Sequence, residues 1–200
     1  KISVKLGEGG IGKNHIDDIP FKRGINALKQ HKRTLDEHGV TKIYAFATSA
    51  IRSSDNGPEF VKKARKRTGI EIQVITGERE AELIYFGVKA AVRLGKEPVL
   101  IMDIGGGSTE FILANHQQIF WKHSFQLGAA RLIEKFKPSD PIQPTEITTI
   151  ENYLEDQLKP LFNALTESNC TAPVLIGSSG SFDSLAEMIA YRFYSIEILK

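Results

Sequence analysis

The sequence predicts an α/β protein with a largely parallel sheet and one β-hairpin. Three observations carry that expectation. Short β-branched runs alternate with segments of helical apolar period, glycine and proline mark the junctions, and no apolar run approaches the ~18 residues of a membrane span.

The strand-like runs are ISVKL (2–6), KIYAFAT (42–48), EIQVIT (71–76), VLIMDI (99–104), TEFILA (109–114), QQIFWKHSF (117–125) and PVLIG (173–177). Helices are expected between them. The first, 21–38, carries Phe21, Ile25, Leu28 and Leu35 and stops at Gly39. The second, 58–68, opens on Pro58 and stops at Gly69, the order that proline's fixed φ and glycine's left-handed freedom favour. The third, 78–94, has Ala81, Ile84, Tyr85, Val88 and Ala91 on one stripe. A long pattern over 145–166 is expected to kink at Pro160. PVLIGSSGSFDSLAEMI (173–189) repeats strand, glycine-rich turn and helix. GKEP (95–98) is the expected boundary between two α/β units, 1–94 and 95–200.

Composition narrows the class. With 200 residues, 41% hydrophobic and 25% charged, the chain matches a globular protein of one domain or two small ones. A net charge of +2 gives no basic field for DNA. The single cysteine, Cys170, excludes a disulfide framework and fits a reducing, cytoplasmic setting. The chain opens on Lys1 in a strand-like run and ends without a stop signal, so a fragment of a longer protein is expected.

Two glycine-rich stretches compete as anion sites. GEGGIGKN (7–14) satisfies G-x-G-x-x-G through Gly7, Gly9 and Gly12, and nearly satisfies a Walker A loop. Both need a helix straight afterwards, and NHIDDIP supplies no helical period. Walker A also needs Ser or Thr where Asn14 stands. A flexible turn is the simpler expectation. IMDIGGGSTEF (101–111) differs, because buried strands flank its glycines. A hairpin turning at Gly106-Gly107, where positive φ suits glycine, would pair 105 with 108, 104 with 109 and 103 with 110. Asp103 and Glu110 would then stand side by side, a costly pair unless they share a cation. Bare backbone at Gly105, Gly106 and Gly107, with the Ser108 and Thr109 hydroxyls, offers donors to phosphate.

Three further features could serve such a site. Arg52 follows a strand end, where open α/β sheets bind ligands, although alone it reads as a surface salt-bridge residue. Glu78, Glu80 and Glu82 open a helix, as its dipole favours, but Glu80 stands four before Ile84 and so points with the apolar stripe, a general-base candidate. GSSGS (177–181) ends at a helix start and suits either an anion or a tight connection. The basic run Lys62, Lys63, Arg65, Lys66, Arg67 reads as a solvated face that could also guide a polyanion.

ATSAIRSSDN (47–56), ITGEREAELIYFGV (75–88), DIGGGSTEF (103–111), QLGAARL (126–132) and GSSGSFDSLAEM (177–188), in this order, resemble the exopolyphosphatase/guanosine pentaphosphate phosphohydrolase family over almost the whole chain. The resemblance implies an actin-like (ribonuclease H-like) fold of two α/β domains around a cleft. It implies Mg²⁺-dependent removal of a terminal phosphate from inorganic polyphosphate or guanosine pentaphosphate. Carried over by position, Asp103 and Glu110 are metal ligands and Glu80 orients or deprotonates the attacking water. Arg52, Gly105, Gly106, Gly107, Ser108 and Thr109 contact phosphate, as do Gly177, Ser178, Ser179 and Gly180. The family's opening Asp-x-Gly-Ser/Thr-Asn phosphate turn is absent here, as is much of the second domain after the GSSGS helix, so the chain is expected to be incomplete at both ends and poorly active alone. Glu82 stands where the family more often has a basic residue. The expected partners are the phosphate substrate alone, with no DNA and no membrane, and a homodimer is left open. The competing functions are an actin-like kinase or ATPase and a non-catalytic phosphate or (p)ppGpp-binding module.

Overall fold

The computed structural model describes residues 1–167 and 174–193, and within them the chain is mixed α/β. Pro173, the first residue of the last expected strand, and Cys170 lie outside the described residues. Two sheets form. A parallel pair joins β1 (Ala45–Ala47) to β2 (Ile72–Val74). The second sheet runs β5-β4-β3-β6, from β5 (Ile119–Phe125), β4 (Thr109–Ala114), β3 (Val99–Ile104) and β6 (Leu175–Ser178), with β6 parallel to β3 and the rest antiparallel.

The helices follow the apolar stripes. α1 (Asp18–Glu37) and α3 (Gly57–Thr68) bury Phe21, Ile25, Phe60 and Ala64 with Ile16 in one core, where the Phe21 and Phe60 rings meet edge to face at 5.0 Å. α1 begins three residues before the expected start, which proline tolerates because Pro20 lies in the first turn. Gly69 caps α3 at φ 72. The long 145–166 pattern resolves into α6 (Pro144–Gln157) and α7 (Lys159–Glu167), with Pro160 in the first turn of α7, where its missing N–H costs nothing.

β4 is buried along its whole length because helices cover both faces of its sheet. α4 (Gly77–Ala91) lays Ala81, Tyr85 and Val88 on Val99, Ile101, Ile112 and Ala114. On the opposite face Phe111, Phe125, Leu127 and Leu161 form a second core, joined by Leu154 of α6, Leu165 of α7 and Leu158 between the two helices. Ile112, at 0% exposure, alone contributes about 2–3 kcal/mol of apolar burial.

Several sequence expectations are corrected here. Residues 2–6 are not a strand. Lys5 turns at φ 48, and the carbonyls of Val4 and Lys5 accept from the Arg23 guanidinium in place of a neighbouring strand. Three short helices carry no clear period in sequence: a 3-10 turn at Ile11–Lys13, α2 (Ser49–Arg52) and α5 (Ala129–Phe136). α8 (Gly180–Phe193) follows the GSSGS turn as expected. No described helix is long and apolar enough to cross a membrane.

Candidate active site

The hairpin at 101–111 forms in the expected register, with Ile104 opposite Thr109, Asp103 opposite Glu110, and Gly105 N–H donating to Ser108 O at 3.0 Å. Strand alternation then fixes what meets what. Val99, Ile101 and Asp103 share the α4 face of the sheet with Glu110, Ile112 and Ala114. β5 adds Ser124 opposite Glu110 and Lys122 opposite Ile112. The first turn of α4 carries Glu80 to the same place.

Crowding, and not backbone handedness, explains Gly107, whereas a Cβ on Gly106 would meet nothing nearer than Ala130 Cβ at 3.9 Å. The glycines with left-handed φ are Gly9, Gly39 and Gly69, so the positive φ expected at the hairpin tip does not occur. A Cβ on Gly107 would lie 2.6 Å from Ser49 Oγ and 2.8 Å from Ile11 Cδ1. Across the turn, a Cβ on Gly128 would stand 2.4 Å from Gly106 C and O and from Gly107 N. α5 starts there and donates its first N–H groups to the turn, Ala129 to Gly105 O at 2.9 Å and Ala130 to Gly106 O at 2.9 Å. With those carbonyls taken by the helix, the N–H groups of Gly106, Gly107 and Ser108 have no protein acceptor among the described residues. Gly128→Ala should therefore cost about 1–3 kcal/mol of stability, because both contacting backbones must move. Urea unfolding checks this, and an unchanged midpoint would refute the packing account.

Gly105, Gly106, Gly107 and Ser108 line a cavity of about 930 Å³ together with Glu80, Ser179 and Gly180. Thr48 and Ser49 line it as well, and so does the 5–9 segment. The GEGGIGKN stretch thus reaches the cavity as a hydrogen-bonded turn, with Ile11 N–H on Gly7 O at 3.0 Å and no α-helix directly after its glycines. The structure sets several expected residues back from the cavity. Thr109 is buried and donates its hydroxyl to Leu127 O at 3.0 Å. Gly177 lies in β6, where a Cβ would meet the Phe182 ring at 2.0 Å, and Ser178 pairs with Asp103 across the strands. The hydroxyls of Ser179 and Ser181 both donate to Ile104 O, at 3.1 and 2.9 Å, while the Gly180 and Ser181 N–H groups have no acceptor among the described residues. A neighbouring cavity of about 1040 Å³ beyond Arg131 contains none of the expected site residues.

The acids differ in their settings. Glu110 is 2% exposed, and Ser124 Oγ donates to its Oε1 at 2.6 Å. Burial pushes its carboxyl up to about 7, the charges of Glu80 and Asp103 push the same way, and the Ser124 and Ser108 hydroxyls oppose. Glu80 is half-buried and ion-paired, with Arg52 Nη1 2.9 Å from its Oε2. Glu78 and Glu82 face β5 instead. Glu78 lies 3.5 Å from His123 Nδ1, and Glu82 pairs with Lys122 and with Arg79.

Two contributors escaped the sequence reading. Ser124 was findable only in part: the Asn115–Gln118 turn, closed by Asn115 Oδ1 on two N–H groups, pairs Ala114 with Ile119, and a bulge between Leu113 and Ala114 then shifts the ladder by one residue, which brings Ser124 and not His123 opposite Glu110. Arg131 was not, because its partners, two carbonyls and a hydroxyl, lie far from it in sequence. Its guanidinium donates to Gly107 O at 3.2 Å, Ile11 O at 3.0 Å and Ser53 Oγ at 3.2 Å, tying the glycine turn to the 3-10 turn and to the residue that follows α2.

The glycine hairpin thus opens its amides onto a cavity that Glu80 also lines, with Asp103 and Glu110 behind it on the strands, an arrangement of donors that suits an anion. Comparison with known proteins makes the class specific. The chain belongs to the Ppx/GppA phosphatase family, whose model matches residues 1–197. It is similar to the crystal structure of an exopolyphosphatase from Cytophaga hutchinsonii, with 42% identity and a TM-score of 0.91 over 96% of this chain and 61% of that one. An Aquifex aeolicus Ppx/GppA family member matches with 27% identity and a TM-score of 0.70, over 96% of this chain and 60% of that one. Among curated proteins, a bifunctional 3-dehydroquinate synthase/phosphatase of Fusobacterium nucleatum is 39% identical over 136 residues, 66% of this chain and 20% of that protein. The chain therefore spans about 61% of the solved exopolyphosphatase. Its α/β fold is that of these Ppx/GppA relatives, the family that the sequence resemblance pointed to.

Proposed function

We propose that the full-length protein carrying this chain hydrolyses the terminal phosphoanhydride of inorganic polyphosphate or guanosine pentaphosphate, with Mg²⁺ and with Glu80 as the acid that orients and deprotonates water. The carrying observation is that Glu80 and the Gly105–Ser108 turn line one cavity. Terminal phosphoryl transfer asks the protein mainly to hold the phosphate oxygens and to align the nucleophile. The free N–H groups of Gly106, Gly107 and Ser108 suit the first task. Glu80 suits the second, because its Oε1 has no protein partner among the described residues. The likeness to the Cytophaga exopolyphosphatase supports the same reaction class.

The residues fit Mg²⁺. Among the described residues no cluster of three or more His, Cys, Asp or Glu side chains is arranged as a metal cage. Mg²⁺ needs none, since it keeps waters and takes one or two carboxylates beside substrate phosphates. Asp103 and Glu110 would supply them, and a cation there would offset the burial that chiefly lifts Glu110 and the like charges of Glu80 and Asp103 that add to it. Bound Mg²⁺ would neutralise charge on the phosphate oxygens. Phosphate release from both substrates, with Mg²⁺ and with a chelator, tests the proposal. Mg²⁺-dependent release from at least one is expected, and turnover only by transfer from ATP to an acceptor would replace it with a kinase.

A further inference from the structure

We infer that Arg52 is a positioning residue that holds the carboxylate of Glu80, and not a ligand of the phosphate, an inference that rests on Glu80 being the water-activating acid. Both hydrogens of Arg52 Nη1 are committed, one to Glu80 Oε2 at 2.9 Å and one to Ile75 O at 3.0 Å. Ile75 is buried at the end of β2 and its N–H donates to Ala47 O at 3.0 Å, so the anchor belongs to the sheet. The other edge of the guanidinium faces Gly77, where a Cβ would come 3.5 Å from Nη2. Glu80 lines the cavity of the glycine turn and Arg52 does not.

The grip is one-sided, and that is its use. A forked pair would occupy both carboxylate oxygens. Here Oε2 is fixed and Oε1 is left for water. The carboxylate is aimed by a planar group that is itself fixed to backbone, so its direction is set before substrate arrives. Ser49, three residues earlier on α2, packs against Gly107, so one short helix registers the acid against the phosphate turn.

The test compares Arg52→Gln, Arg52→Lys, Glu80→Gln and the double variant Arg52→Gln/Glu80→Gln in the full-length protein. Arg52→Gln should lower kcat by ~10–10²-fold, the scale of a misplaced catalytic group, with KM for polyphosphate within ~3-fold. In the Glu80→Gln background the same change should cost under ~3-fold more, because the two residues act as one unit. Lysine has no planar fork to hold two acceptors, so Arg52→Lys should be slow as well. It is read alone if the glutamine variant fails to melt like the parent. The affinity of tripolyphosphate with Mg²⁺, measured by calorimetry, should stay within ~3-fold of wild type. A loss of affinity of ~10-fold or more, additive kcat effects in the double variant, or full activity with lysine would each overturn the inference. Absence of hydrolysis by wild type would remove the proposed reaction, while the tripolyphosphate affinities would still decide whether Arg52 binds phosphate.

Discussion

Glu80→Gln should lower kcat for terminal-phosphate release by ~10²-fold or more while leaving substrate affinity nearly unchanged, the behaviour of a lost general base. The amide keeps the shape and still accepts a hydrogen bond from Arg52, but it cannot take a proton from water. Phosphate binding should survive, because the hairpin amides lie on a different segment. Glu78 and Glu82 are the internal controls. They share the first turns of α4, yet they face His123 and Lys122 on β5 and stand outside the cavity of the glycine turn. Glu78→Gln should leave the rate within ~3-fold, as for an exposed residue of that helix turn. Steady-state kinetics on both variants decide the matter. Equal losses would reduce Glu80 to one member of an acidic helix start.

Glu110→Gln should make the metal-free protein more stable at pH 8 and less active at any pH. The carboxyl rises from 4.5 to about 7 on folding, chiefly through burial. Below pH 4.5 it is protonated in both the folded and the unfolded chain, so it costs nothing. Between 4.5 and about 7 the unfolded chain gives up its proton while the folded chain keeps it, and stability falls as pH rises. Above 7 the full penalty applies, of order ~3 kcal/mol at ~1.4 kcal/mol per pH unit. Glutamine removes the charge, so its melting temperature should exceed that of wild type at pH 8 and converge with it near pH 4. Mg²⁺ should raise the melting temperature of wild type at pH 8 more than that of the variant. The rate at fixed Mg²⁺ should fall by ~10²-fold, since a metal ligand supports several kcal/mol of charge stabilisation. Identical pH–stability curves for the two proteins would contradict the burial account.

What the sequence made legible follows from period and punctuation. Period two with a short turn is a rigid rule, so Asp103 and Glu110 were paired correctly before any coordinates. The positive φ expected of the turn glycines does not occur, and the crowding that requires glycine at 107 comes from Ser49 and Ile11, residues distant in sequence. Glu80 was singled out by its place on the apolar stripe of α4, and that stripe does bring it to the sheet face of Glu110. The ion pair with Arg52 could not be read, since it spans 28 residues and depends on how α2 leaves β1. The 2–6 run looked like a strand by composition alone, but ladder bonds require a neighbour, and Arg23 took those carbonyls. α5 was missed because eight residues hold barely two turns, too few for a period to register.

The most direct test of the central claim is to run the phosphate-release reaction of the full-length protein in heavy-oxygen water and to analyse the released phosphate and the shortened substrate by mass. Attack by Glu80-activated water on the terminal phosphorus predicts one heavy oxygen in each released phosphate and none in the remaining chain. Heavy oxygen in the shortened chain, or phosphate passed to an acceptor without any label, would contradict terminal hydrolysis and the role assigned to Glu80.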